Sequence, residues 1–513
     1  MTIPALQRKD HLALSLIIFA AMLARGWILF SNPWMPGVNG AYYFVQARVL
    51  IERGTLGFPD MPLIFYLHAG LAKLLTAVSG KSLATAIPLA VKTCDAILPP
   101  LAAIPVFMLT ARWRERIRGD ASWLPLAAAA LAALGQPVFL MVGELQKNAL
   151  AVLWLAALIT ALHSWMLEPK GKRAAAVLIF LALLAFTHIG TLGCAMLLGG
   201  LGMAIWLAAG GRPGRIELLH LLFSAGILVI ALALVSMKYD SIRISRLVGA
   251  FTNPAAFSSD SAIPAPVRHA FLPMQWMTFL AFFIASAPAL WIIIRHWRIT
   301  DPGDSATVAA CGWTTLVLTA PWFDFDKTIR FASICFIPAV LTGTYALLHV
   351  QTAWRRKAVT GMVLAIFLIP AALFLFQKDR LVLSEEALKE LDGLRALVSR
   401  PEKTLLVAEH GVEWWAAWLL HTRVSQAGSV EADDWIKYED ILFLETKDPL
   451  RISGPKGPGP QPDGGKNPPP GDADDQAFAP VMIPLDAEIL HNGQHLKLAR
   501  VTTPPDSLKH PNQ

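Results

Sequence analysis

A small set of polar side chains interrupts an otherwise apolar sequence, and their types suit acid–base work and the binding of an anion. They are Asn39 with Tyr42 and Tyr43, Asp60, Glu144 with Lys147 and Asn148, His188, and the run Asp324, Asp326, Lys327 and Arg330. Asp60 and Glu144 offer carboxylates able to take a proton from an attacking hydroxyl. Lys147, Lys327 and Arg330 offer cations, and a guanidinium matches a phosphate in two-pronged fashion. Each group also has a plainer reading. Glu144 and Lys147 stand three apart, a spacing that equally makes a surface ion pair. The run FDFDKTIR precedes an apolar stretch, where interfacial charges are ordinary. A histidine at a tight turn is more often a local hydrogen-bonder. Lys92 and Asp95, at helical spacing inside an apolar run, are expected to neutralise each other. Glu413, Trp414 and Trp415 read as core with an interfacial anchor.

The elements that must position these residues are membrane helices. The chain is 55% hydrophobic and only 16% charged, where a soluble chain has roughly 25% charged residues. The deficit falls before about residue 377, and ordinary charge density returns after it, which predicts a transmembrane domain over 1–377 and a soluble domain over 378–513. A span needs about 20 apolar residues. The apolar runs predict about eleven, at roughly 11–31, 84–110, 122–142, 148–167, 174–189, 191–209, 216–237, 271–294, 304–321, 331–349 and 357–376.

Basic clusters fix the orientation. Arg8 and Lys9, the arginines at 112, 114, 116 and 118, Lys170 with Lys172 and Arg173, Arg212 with Arg215, Arg295 with Arg298, and Arg355 with Arg356 and Lys357 fall in alternate joints. All of them can therefore face the cytoplasm. The N-terminus is then cytoplasmic and the tail extracytoplasmic, in a multi-pass protein of the cytoplasmic (inner) membrane. The first run is too long for the apolar core of a signal peptide, so it reads as an uncleaved span. Met61–Val78 is apolar but would break the alternation, and is expected as an interfacial or re-entrant helix in an external loop over 32–83. With this topology the polar residues named above gather at the external pole. The net charge of +7 is the sum of these joint clusters, which excludes a nucleic-acid partner. The four cysteines lie in apolar runs and carry neither metal-ligand spacing nor a disulfide framework. A transporter is disfavoured by the absence of inverted halves with matching broken helices.

The tail predicts a small α/β domain. Ser384 suits the N-cap of an amphipathic helix. TLLVAEHG reads as a strand, VEWWAAWLLHT as a helix and DILFLETKD as a strand. Asn492-Gly493 marks a hairpin between EIL and HLKLARV. The Pro/Gly-rich stretch at about 454–476 reads as disordered.

The first external loop resembles that of the GT-C superfamily of integral membrane glycosyltransferases, which includes oligosaccharyltransferase catalytic subunits, protein O-mannosyltransferases and aminoarabinose transferases. The likeness rests on Pro36-Gly37, Tyr42-Tyr43, Ala47-Arg48, Gly54 and Pro62-Leu63. GELQKNAL is similar to the second acidic site of that superfamily, and FDFDKTIRF to its late external loop. The resemblance implies transfer of a sugar, with inversion, from a polyprenyl-phosphate donor to a lipid, glycan or protein acceptor on the extracytoplasmic face. It implies Asp60 or Glu144 as the catalytic carboxylate. It further implies substrate contacts from Asn39, Tyr42, Tyr43, Arg48, Lys147, His188, Asp324, Lys327 and Arg330. One position departs from the pattern. Asn39 stands where the family usually carries Asp, and an amide is a poor ligand for Mg²⁺ or Mn²⁺. A divalent cofactor is therefore open to question, and a non-catalytic lipid-carrier-binding or assembly subunit is the alternative.

Overall fold

The computed structural model describes residues 8–117, 121–239, 265–297, 300–323, 325–376, 380–425, 432–448 and 483–501, with a few isolated positions between them. The stretch 454–476, Asp324 and the side chain of Asp326 lie outside the described residues. The chain divides into two compact units. One comprises Met1–Ser31, Phe58–Leu71 and Lys92–Phe376, and the other Asn32–Gly57, Ala72–Val91 and Gln377–Gln513.

The helices are numbered in chain order. They are α1 (Arg8–Phe30), α2 (Gly40–Arg53), α3 (Leu63–Ser79), α4 (Leu83–Ile97), α5 (Ala103–Ile117), α6 (Leu124–Leu134), α7 (Gln136–Leu140), α8 (Gln146–Leu167), α9 (Gly171–Thr187), α10 (Ile189–Ala208) and α11 (Arg215–Tyr239). After residues outside the description come α12 (Ala265–Arg295), α13 (Pro302–Thr319), α14 (Phe325–Leu348) and α15 (Ala353–Phe374). Among the described residues, eight helical segments are long and apolar enough to cross a membrane. The chain is a multi-pass membrane protein. A helix covers each expected span, but those at 124–140, 171–187 and 302–319 fall below that measure, so the count of about eleven is not reached by it. The expected span at 122–142 is interrupted for a local reason. Gly135 is extended, with φ −64° and ψ 146°, and Pro137 opens the next short helix. Pro137 stands in the first turn of that helix, where its missing N–H is not needed.

Small residues let the membrane helices approach closely. Ala21 of α1, Ala103, Phe107 and Ala111 of α5, and Ala129 and Ala133 of α6 form one buried cluster, the packing expected where lipid supplies no hydrophobic drive. Polar ties also join the helices. Asp304, at the start of α13, accepts from Trp113 Nε1 (3.0 Å) and Arg116 (3.2 Å) of α5 and bonds His163 Nε2 of α8 at 2.7 Å. A second tie joins α1 to α4. Arg25 is fully buried and ion-pairs with Asp95. Its Nε donates to the Asp95 carbonyl (2.8 Å) and its NH1 to the carbonyl of Val138 (3.0 Å). The other oxygen of Asp95 accepts from the backbone of Gly143 (2.8 Å). Asp95 thus pairs with Arg25 and not with Lys92, whose ammonium lies 5.7 Å from the Phe30 ring.

The second unit holds a five-stranded sheet of order β2-β1-β3-β5-β4, with β1 Thr404–Ala408, β2 Arg423–Val424, β3 Asp440–Thr446, β4 Glu488–Asn492 and β5 Leu496–Val501. The first three strands are parallel, β5 is antiparallel to β3, and β4 and β5 form a hairpin. Residues 404–408 are buried throughout, as a central parallel strand requires. Ahead of the sheet, α16 (Glu385–Gly393) is capped by Ser384, whose hydroxyl accepts from Ala387 N at 3.1 Å. Between β1 and β2 lies α17 (Val412–Leu420) and before β3 the single turn α18 (Asp434–Lys437).

Asp95→Ala would leave Arg25 buried beside an empty place. Removing one partner of a buried pair costs about 3–5 kcal/mol. The expected outcome is a lower melting temperature of the detergent-solubilised protein.

Candidate functional site

In the membrane unit the candidate site is built at the start of α8. The residues before it turn on Gly143, whose φ of +80° is left-handed and suits glycine. The Gly143 amide is the one held by Asp95. This anchored turn carries Glu144, half-buried, Gln146 and Lys147 into the first turn of the helix. Lys147 ion-pairs with Asp60. Asp60 is 1% exposed, and its Oδ1 accepts from the Met61 amide at 2.7 Å. Both carboxylate oxygens are therefore engaged, one by a backbone donor and one by an ammonium. Burial makes that pairing compulsory, because an isolated carboxylate at this depth is far too costly. Ile64, Cys94, Asp95, Leu98, Gln146 and Leu150 line a small cavity beside the turn. Lys327 is half-buried and Arg330 exposed in the opening turns of α14.

His188 stands in the one-residue joint between α9 and α10. Its Nδ1 accepts from the Thr191 amide at 3.1 Å and lies 2.9 Å from the Thr191 hydroxyl. The imidazole is thus the N-cap of α10, the job usually given to Ser, Asp or Asn. Both of these bonds fit the plainer reading of this residue.

The other candidates lie in the second unit. Asn39 precedes α2 and is half-buried. Tyr42 and Tyr43 are buried, with their rings edge-on at 5.6 Å. Sequence reading passed over Gln46, which is fully buried between them and the following loop. Its Nε2 donates to the Tyr42 hydroxyl (2.9 Å) and its Oε1 accepts from Gly57 N (2.9 Å). Arg48, expected to contact substrate, makes main-chain contacts within this unit. Its guanidinium donates to the carbonyls of Ala417 (2.8 Å) and Trp418 (3.0 Å) and lies 5.3 Å from the Trp418 ring. Those carbonyls belong to the last turn of α17, which lacks helical donors and carries the negative end of the dipole. Burial lowers the pKa of Arg48, with Glu52 acting against that shift.

The tail's aromatic triplet faces the same helix. Trp414 meets Tyr42 at 4.8 Å, Trp415 meets Phe44 at 6.0 Å and Trp34 at 5.4 Å, and Trp418 meets Phe44 at 5.3 Å. Glu413 is buried and bonded to His410 Nδ1 at 2.9 Å. Burial raises the Glu413 carboxyl above the usual range, against the bonds from His410 and the Gly411 amide.

Among the described residues no three His, Cys, Asp or Glu side chains are grouped as a metal site requires. In the membrane unit both oxygens of Asp60 are taken by Lys147 and Met61.

The fold is that of two solved membrane glycosyltransferases. The archaeal oligosaccharyltransferase AglB from Archaeoglobus fulgidus, in complex with an inhibitory peptide and a dolichol-phosphate, matches with a TM-score of 0.52 and 13% identity, over 85% of this chain and 69% of its own. ArnT from Cupriavidus metallidurans in the apo state matches at 0.52 and 11% identity, over 95% of this chain and 97% of its own. ArnT bound to undecaprenyl phosphate matches at 0.50 with the same identity and coverage. At such identities the likeness is one of fold, and it agrees with the GT-C resemblance of the first loop. No protein-family model and no curated protein sequence matches the chain.

Two predictions follow from these contacts. His188→Ala removes a cap and should cost about 1 kcal/mol of stability, most of it retained in His188→Asn; melting of both variants checks this. Glu413 has its folded pKa above its unfolded one, so the folded state holds this proton more tightly. Its contribution is therefore present below the ordinary glutamate pKa and is lost as pH rises through the raised folded value. Glu413→Gln should accordingly gain stability relative to the wild type as pH rises across that window, read by melts between about pH 4 and 7.

Proposed function

We propose that the protein transfers a sugar from a polyprenyl-phosphate donor to an acceptor hydroxyl on the extracytoplasmic face, with inversion at the anomeric carbon. The observation that carries this reading is the buried Asp60–Lys147 pair at the mouth of α8, in a chain with the fold of AglB and ArnT. A carboxylate and a cation held together out of water are the two charges the displacement needs. The acceptor oxygen bonds to C1 of the sugar as the bond from C1 to the phosphate oxygen breaks. The acceptor's proton passes to a carboxylate, Asp60 or Glu144. The leaving phosphate gains negative charge, which Lys147, Lys327 and Arg330 are suited to neutralise. Since Asp60 and Lys147 already neutralise each other, arrival of a phosphate draws Lys147 toward the new anion and leaves Asp60 the stronger base. Tyr42 and Tyr43 are suited to holding donor or sugar, and no divalent metal takes part in the scheme. The reading includes about eleven spans, a cytoplasmic N-terminus and an extracytoplasmic tail in the inner membrane.

Asn39 favours a second reading, in which the chain binds the lipid carrier without reacting. The two are separated by assaying sugar release from a polyprenyl-phosphate donor in nanodiscs. Under the first reading Asp60→Asn lowers turnover by about two to four orders of magnitude, the usual share of a general base, with donor binding retained. If Asp60→Asn turns over normally and Glu144→Gln does not, the base is Glu144. Donor binding without release in the wild type supports the second reading and sinks the first.

A further inference from the structure

The tail carries no group assigned to the reaction above, yet its contacts point toward one segment of the first loop. Its sheet has the topology of an open α/β domain. From β1 the chain passes through α17 to β2 on one side, whereas β3, on the other side of β1, leads on to the antiparallel hairpin. Ligands of such sheets bind outside the carboxyl ends of the strands, where the connections diverge. At that edge the structure has a piece of the chain itself. The loop leaving β1 contains Gly411 at φ +96°, and a Cβ there would lie 2.6 Å from Val38 Cγ1. Gly37 N donates to the Arg380 carbonyl at 2.8 Å, and Gly37 pairs with Leu381 in parallel fashion. Asn32 bonds Glu385 at 2.6 Å. Immediately after this segment, α2 lies on the tryptophan face of α17, with Arg48 closing its last turn.

We propose that the sheet domain serves as the holder of the substrate loop, taking residues 34–39 and α2 where a sheet of this kind would take a ligand, and that Arg48 is a positioning residue for Asn39, Tyr42 and Tyr43. The physical case is one of order. Residues 32–57 form a single fourteen-residue helix and irregular flanks, and a helix of that length is marginal alone. Its order comes from packing, and the packing partner is α17. Each aromatic pair adds about 0.5–1.5 kcal/mol beyond its buried area. Arg48 adds two charge-assisted bonds aimed at carbonyls with no other helical partner. A lysine would keep the charge but could not span both carbonyls in one plane. The order extends to the end of the loop through Gln46, which ties Tyr42 to Gly57.

This inference rests on the donor site proposed above, and its test keeps the two apart. Hydrogen exchange is measured on the full-length protein in nanodiscs for the wild type, Arg48→Met and Arg48→Lys. Arg48→Met should exchange the amides of 40–53 about tenfold faster while those of α8 stay unchanged, a local opening and not global unfolding. In the same samples its KM for a polyprenyl-phosphate sugar should rise about tenfold with kcat within about threefold, and Arg48→Lys should recover part of both effects. Unchanged exchange over 40–53 in Arg48→Met overturns the inference, because the loop would then be ordered without the tail. Faster exchange with unaltered KM and kcat also overturns it, because the loop would then not serve the site. A wild type that releases no sugar refutes the transferase reading alone. The comparison is then made on binding of polyprenyl phosphate: weaker binding in Arg48→Met sustains the inference and unchanged binding defeats it.

Discussion

Arg25 lies with no solvent exposure in an apolar helix, and the membrane unit is arranged around satisfying it. A buried guanidinium needs both a counter-charge and acceptors for its remaining donors. Asp95 supplies the charge and one carbonyl, and Val138 supplies another. Asp95 in turn has an oxygen left over, and the Gly143 amide takes it. That last bond fixes a turn which would otherwise be a bare joint between α7 and α8. Glu144, Gln146 and Lys147 are the next residues along. The position of the reactive-looking groups therefore depends on a charge pair that takes no part in their chemistry. The low dielectric that makes Arg25 so costly to leave unpaired also makes its pairing discriminating, since few alternative arrangements supply a carboxylate and two carbonyls to its three nitrogens at once.

The legible part of the molecule was that governed by local pattern. Apolar runs of sufficient length became helices, the Ser384 cap and the Asn492-Gly493 hairpin formed, and the strands over 404–408 and 440–446 came out where β-branched and aromatic residues cluster. What escaped depended on contacts distant in sequence. Asp95 lies three residues from Lys92, the spacing that predicts a pair, but its true partner is seventy residues away. Nothing in the neighbourhood of Gln46 signals that both ends of its amide are used. The break at Gly135 is not announced by the proline two residues on, since Pro88, Pro338 and Pro370 lie inside continuous helices. The site divides in the same way. The residue types around Asp60, Glu144 and Lys147 were visible, whereas the pairing of Asp60 with Lys147, 87 positions apart, was not.

Arg48 illustrates why motif and contact need separate arguments. Its place beside Ala47 in the first loop resembles that of glycosyltransferases of this fold, and a cation near a phosphate site is an obvious candidate for binding it. Its hydrogen bonds go to two carbonyls of α17 instead. A guanidinium committed to main-chain acceptors and stacked against Trp418 has little left to offer a ligand. In this structure Arg48 serves the seat of α2 on α17.

The Asp60–Lys147 pair shows what burial demands of a charge in the membrane unit. Asp60 is almost wholly buried, and its two oxygens are met by the Lys147 ammonium and by the Met61 amide. A lone carboxylate in the same place would be far too costly. Asn39 makes no such demand, because an amide keeps the hydrogen-bonding capacity of a carboxylate without its charge. Under the transfer reading proposed above, the same pairing has a chemical use. A phosphate anion competes with Asp60 for the ammonium, and a carboxylate relieved of its counter-charge holds a proton more tightly and is the stronger base.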